Sequence, residues 1–162
     1  MSFKLRAAVA DEVAYLSDLA VRSKAYWGYS DEFMRACSQE LFLAPDAIED
    51  GDSDYTVCEW NNKVIGFYAL RSLSAEEVEL DALFVDPEYI GSGFGRILIN
   101  RAKQQAAKKG GRVLVIQGDP NAKGFYTAVG GKLAGLRESA SIQGRFLPVF
   151  HIQLSDSGIE NV

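Results

Sequence analysis

Val85-Asp86-Pro87-Glu88-Tyr89-Ile90-Gly91-Ser92-Gly93-Phe94-Gly95-Arg96-Ile97-Leu98 joins an apolar run to the start of a helical one. Upstream, Val78 to Val85 reads as a strand, with Val78, Leu80, Ala82 and Phe84 on one face and Glu79, Asp81, Leu83 and Val85 on the other. Pro87 ends its pairing, because proline has no N–H to donate. Downstream, Ile97, Leu98, Ala102 and Ala106 form one stripe of a helix that runs to about Lys109 and closes at Gly110-Gly111. A glycine turn that opens directly onto a helix leaves unsatisfied amides at the positive end of the helix dipole, which favours phosphate. A sharp strand-to-helix connection explains the same letters, so the glycines alone leave both open. Two phosphate binders are excluded. A P-loop needs Gly-Lys-Ser/Thr, whereas Arg96-Ile97 follows Gly95 here. A dinucleotide fold needs GxGxxG in a first strand-helix-strand unit, whereas Gly91, Gly93 and Gly95 alternate and come after a long antiparallel section.

Working outward, Phe3 to Ala8 reads as a strand, and Asp11 starts a helix with Val13, Leu16, Leu19 and Ala20 on its apolar face. Ser30 caps a second helix that buries Phe33, Met34, Cys37 and Leu41. From Tyr55 to Leu73 two apolar runs flank Asn61-Asn62, a pair that tolerates positive φ and predicts a tight hairpin. Val64, Gly66 and Tyr68 do not alternate cleanly. Arg112 to Gln117 is a short buried strand, Asn121 to Val129 a short helix ended by Gly130-Gly131, and Lys132 to Arg137 and Arg145 to Leu154 two final strands. The expected fold class is therefore α/β, a mixed sheet flanked by helices in a single domain over residues 1–162.

The 162 residues, 48% hydrophobic and 24% charged, suit one compact globular unit without metal or disulfide staples. Cys37 and Cys58 form no CxxC pair and lie near no cluster of histidines, so no metal is expected and both read as structural thiols. A net charge of −5 without a basic run argues against a nucleic-acid partner. The composition argues against a membrane span. The opening residues do not resemble a signal peptide, which makes the cytoplasm the expected location.

Residues 85–98 resemble the coenzyme A pyrophosphate loop of the GNAT superfamily of N-acetyltransferases. Asp119-Pro120-Asn121-Ala122-Lys123-Gly124-Phe125-Tyr126, followed by Gly130, resembles that family's second motif at the expected distance downstream. The order of elements agrees along nearly the whole chain. Within the family, Lys24-Ala25-Tyr26-Trp27-Gly28-Tyr29 and Ser141-Ile142-Gln143-Gly144-Arg145-Phe146-Leu147-Pro148 look like a subgroup of small bacterial members. The resemblance implies the GNAT fold, a mostly antiparallel sheet with a splayed parallel pair. It implies pantetheine pairing near Leu83, Phe84 and Val85, and pyrophosphate held by the amides of Gly91, Ser92, Gly93, Phe94, Gly95 and Arg96. Ile90 stands where the family usually has Arg or Gln, which shifts phosphate binding onto the backbone.

The implied activity is transfer of an acetyl group from acetyl-CoA to a primary amine of a small molecule or an exposed amino group. The alternative is an acyl-CoA-binding or sensing module without turnover. By resemblance, Tyr126 serves the leaving thiolate, and Asn121 and Phe125 accompany the coenzyme. Glu79 matches the position of a catalytic glutamate in some members. Asp81 shares its face, and like charges so placed raise one carboxyl toward neutrality, as a base requires; a chain of waters is the third option. Trp27, Tyr29, Asp81 and Arg145 are candidate substrate contacts, with a plain structural role equally open. His151 reads as structural. Pairing of two copies through the terminal strands to give a homodimer is compatible with the pattern.

Overall fold

The computed structural model describes residues 2–154. Seven strands form one sheet in the order β1-β2-β3-β4-β5-β7-β6. β1 (Phe3–Ala7), β2 (Asp54–Trp60), β3 (Lys63–Ser72) and β4 (Glu77–Val85) form an antiparallel meander. β5 (Val113–Gln117) joins β4 in parallel, and β7 (Phe146–Gln153) and β6 (Lys132–Glu138) follow antiparallel. This is the mixed sheet expected. The β2–β3 hairpin turns on Asn61 and Asn62, with φ of 53° and 65°, as a two-residue turn of that type requires.

Helices α1 (Val13–Ala25) and α2 (Asp31–Leu41) cover one face, over Leu16, Leu19, Cys37, Val57 and Phe67. The Ser30 hydroxyl caps α2 by accepting from the Phe33 N–H at 3.1 Å. Helices α3 (Phe94–Lys108) and α4 (Lys123–Ala128) cover the other, over Cys58, Ile65, Tyr68, Leu98 and Phe150. Both cysteines are free and buried. The α1 helix begins two residues later than Asp11, because a 3-10 turn over Ala10–Glu12 precedes it. No helix among the described residues is long and apolar enough to cross a membrane.

The expected single-phase alternation of β4 is corrected by the structure. The register with β3 passes from Ala69 opposite Ala82 to Leu70 opposite Leu80, leaving Asp81 as an extra residue. One extra residue inverts the sidedness of everything beyond it. Val78 and Leu80 pack toward α3, as do Leu83 and Val85, whereas Ala82 and Phe84 pack toward α1 and α2. A second irregularity, between Cys58 and Glu59 of β2 opposite Gly66 and Val64, leaves Ile65 unpaired and explains why β3 does not alternate cleanly.

Candidate active site

β4 and β5 are paired only from Glu77 opposite Val113 to Leu80 opposite Ile116. Beyond Leu80, β4 runs on to Val85, while the chain leaves β5 after Gln117, and the Gly118 N–H donates to the Pro148 carbonyl at 2.9 Å. A wedge opens between the two strands. The Asp86 N–H donates to Ile65 on β3 at 2.7 Å, so strand alternation turns the N–H groups of Leu83 and Val85 away from β3 and into the wedge. A cavity of about 730 Å³ fills it, bounded by β4 residues Leu83 to Val85, the glycine loop and Tyr126, and at its far end by Tyr55 and Ala47.

The glycine loop forms one wall. Gly91 and Gly93 have φ of +89° and +94°, a region that side chains other than glycine rarely enter. Gly93 is the N-cap of α3, and the Ile97 N–H is bonded to its carbonyl at 3.2 Å. The amides of Phe94, Gly95 and Arg96 therefore precede the first intrahelical bond. Ile90, Gly91, Gly93, Gly95 and Arg96 line the cavity. The Phe94 side chain turns the other way, edge-on to Trp60 and Tyr89 in the core. The Ser92 N–H bonds to the Tyr89 carbonyl at 3.1 Å, and its side chain lies outside the cavity. A Cβ on Gly95 would stand 3.2 Å from Phe125 Cε1, so the helix start and α4 interlock there without spare room.

Tyr126 projects from α4 into the opposite wall, 7% exposed, with its ring 5.6 Å from that of Phe150 and 5.1 Å from that of Phe125. Gly118 makes this possible. A Cβ there would lie 3.1 Å from the Tyr126 ring. Burial, with the Asp119 charge adding to it, pushes the Tyr126 phenol well above the usual tyrosine range, so it keeps its proton at neutral pH. An anion-ready helix start and a protonated phenol thus face one cavity across a parted strand pair.

Comparison with known proteins decides what the architecture is. The sequence profile of the Acetyltransferase (GNAT) family matches residues 19–130. The chain belongs to the GNAT acetyltransferase family. It is 30% identical over 116 residues to an uncharacterized N-acetyltransferase of Methanocaldococcus jannaschii; the match takes in 66% of this chain, which spans about half of that relative's length (51%). The GNAT fold is shared with the PaiA N-acetyltransferase of Thermoplasma acidophilum in complex with coenzyme A, at 20% identity and a TM-score of 0.77 over 94% of this chain and 99% of that one. It is shared also with a GNAT family acetyltransferase of Elizabethkingia anophelis with acetyl-CoA bound, at 18% identity and a TM-score of 0.68 over 94% and 98%.

Within this GNAT chain Glu79 and Asp81 of β4 have different surroundings. Glu79 is buried and held at both oxygens, by Arg71 Nη2 at 2.6 Å and by Arg137 Nη1 at 3.2 Å; the same Arg137 nitrogen donates to Gln117 at 3.1 Å. Asp81 is open toward the cleft, with the Ser53 hydroxyl at 3.5 Å. The walls around it nevertheless thin its water, and that crowding, with Glu79 adding to it, raises its carboxyl above the ordinary aspartate value.

Trp27 lines the cavity. Tyr29 stacks on Phe33 at 4.0 Å instead, and its hydroxyl lies at 2.8 Å from Asp119 Oδ2 and accepts from Asn121 Nδ2 and Arg145 Nη2. Burial and Asp119 push that phenol up to about 12. The Arg145 guanidinium lies 4.8 Å over the Phe33 ring. Asn121 lines the cavity while anchored to this cluster, and His151 sits half-buried in β7 opposite Val115.

Asp119 is the hub of the cluster. It accepts from Lys24, Tyr29 and the Asn121 amide, and although burial works against it, these donors hold its carboxyl below the usual range. Sequence reasoning placed Asp119 in a motif without assigning this part, and it missed Gly118, Arg22 and Ser23. The Asp-Pro pair reads as a cap, and nothing local distinguishes a cap from a hub.

Proposed function

We propose that this chain is an acetyl-CoA-dependent N-acetyltransferase that acts on a primary amine. The single observation that carries the proposal is the convergence of the free α3 amides and the buried Tyr126 phenol on one wedge. The pyrophosphate would bind the amides of Gly91 and of Gly93 to Arg96, the Ser92 amide being held by Tyr89 and Ile90 adding no charge. The pantetheine would pair with the β4 edge at Leu83, and at Val85 in exchange for the Ser23 hydroxyl. A neutral amine attacks the thioester carbon; the C–N bond forms, the C–S bond breaks, and the electron pair leaves on sulfur. Tyr126 donates a hydrogen bond to that sulfur. A free thiol titrates near about 8.5, below the raised phenol, so the hydrogen bond rather than complete proton transfer carries the stabilisation.

For the amine proton we assign Asp81, directly or through a water, because it opens on the cleft and its carboxyl is raised. Glu79 has an arginine on each oxygen, and neither oxygen is turned to the amine. The amine would enter past Tyr55 and Ala47, beside Asp50, Asp52 and Asp81, whose charge suits a cation. Trp27 would pack against it. Exposed Leu133 and Leu136 on the free edge strand β6 support pairing of two copies, which ultracentrifugation at micromolar concentration would register.

A thiol-release assay against a panel of amines tests the reaction. Turnover with at least one amine, reduced about 100-fold in Tyr126→Phe with unchanged coenzyme A affinity, is expected. Coenzyme A binding without release for any amine would instead make the chain an acyl-CoA-binding module.

A further inference from the structure

Three consecutive residues at the end of α1 reach both arms of the wedge. Arg22 Nη1 donates to Asp86 Oδ2 at 3.0 Å, one residue past the end of β4. The Ser23 hydroxyl accepts from the Val85 N–H at 3.4 Å. Lys24 Nζ donates to Asp119 Oδ2 at 2.9 Å, two residues past the end of β5. Successive helical residues are about 100° apart, so Arg22 and Lys24 point to nearly opposite sides of the helix, as two diverging arms require. Arg22 itself is 37% exposed and also pairs with Asp18 at 2.7 Å, but the groups that the strap grips are buried. The Asp86 side chain is 3% exposed, and Lys24 and Asp119 are 11% and 15% exposed. At this level the two strands no longer bond to each other, their last paired residues being Leu80 and Ile116.

The width of the wedge matters to a ligand that pairs with the β4 edge. Such a ligand takes the place of a strand, about 4.8 Å away, so the far arm must stand about two strand spacings off, roughly 10 Å. A change of an ångström either crowds the ligand or leaves a gap on one side. We propose that Arg22-Ser23-Lys24 is a strap across the mouth that fixes this width, making Arg22 and Lys24 positioning residues for the coenzyme although neither belongs to the glycine loop. The proposal rests on the wedge being the coenzyme A slot.

Calorimetric titration of coenzyme A into the full chain and its variants tests it. Lys24→Met is expected to weaken binding five- to twentyfold, and Asp119→Asn, which also disturbs Tyr29 and Asn121, at least as much. The double variant should weaken it no more than Asp119→Asn alone, since the Lys24 tie is already cut there. Lys24→Arg is expected to bind within twofold of the parent. Arg22→Met, which cuts the other arm, should weaken binding by a similar factor, so the test survives misfolding of a Lys24 variant. Thermal melts of the same samples must stay cooperative, which separates a widened slot from a lost fold. Tighter binding in Asp119→Asn would overturn the strap, because it would mean that a freed Lys24 touches the coenzyme directly. Parent-like affinity in all the variants would overturn it as well. Absence of coenzyme A binding by the parent chain would refute the slot assignment itself.

Discussion

A Cβ placed on Gly118 would stand 3.1 Å from Cδ2 and Cε2 of the Tyr126 ring, with the Phe150 ring at 3.2 Å behind it. The absence of a side chain at 118 therefore sets how deep the phenol sits. Gly118→Ala should push the ring toward the cavity and cost about 1–3 kcal/mol of stability by overpacking. The expected kinetic result is a kcat about tenfold lower with coenzyme A affinity within twofold. Denaturant melts and single-amine kinetics check both.

The raised Asp81 carboxyl predicts a pH-dependent stability effect. A carboxyl whose folded value lies above its unfolded one binds its proton more tightly when folded, so it favours folding below the ordinary value of about 3.9, and that benefit is lost as pH rises through the folded value. Asp81→Asn, which cannot ionise, should be more stable than the parent at pH 7, with the advantage vanishing near pH 3. Melting temperatures from pH 3 to pH 8 would reveal it; an advantage that grows toward acid would contradict the assignment.

Asp86 should show the opposite sign. Burial opposes its charge, but the Glu88 amide and Arg22 hold the carboxyl below the ordinary range. Its contribution is present above the unfolded value and is lost as pH falls through the folded one. Asp86→Asn is expected to lower stability by about 1–3 kcal/mol at pH 7 and to flatten the acid limb of the melting curve.

Gly95→Ala adds a methyl 3.2 Å from Phe125 at the first turn of α3. Alanine is the better helix former by about 1 kcal/mol, so global stability should change little, while the displaced helix start should weaken coenzyme A binding about tenfold. Calorimetry beside a thermal melt separates the two.

Much of the molecule was legible in the letters because it depends on local chemistry. Asn61-Asn62, the Ser30 cap and the loop from Gly91 to Gly95 each demand a particular backbone, and the structure has each one. The phase of β4 was not legible. Its apolar residues fit a continuous alternation, and only the pairing with β3 shows that Asp81 is supernumerary. The environment of Glu79 was hidden for a similar reason. Its two arginines come from β3 and β6, 8 and 58 positions away, and no local pattern brings them together. The Lys24–Asp119 tie spans 95 positions and was equally invisible.

The extra residue in β4 also constrains how such a chain can change length. Deleting Asp81 would join Leu80 directly to Ala82 and leave each side chain on its present face, whereas deleting Phe84 would make Leu83 and Val85 adjacent and force one of them out of the layer under α3. The exposed turn at Ser74 and Ala75, between β3 and β4, could gain or lose a residue without moving any side chain across the sheet. Length variation among chains built on this plan is thus expected at 73–76 and at the bulge position 81, and to be purged from the rest of 77–85.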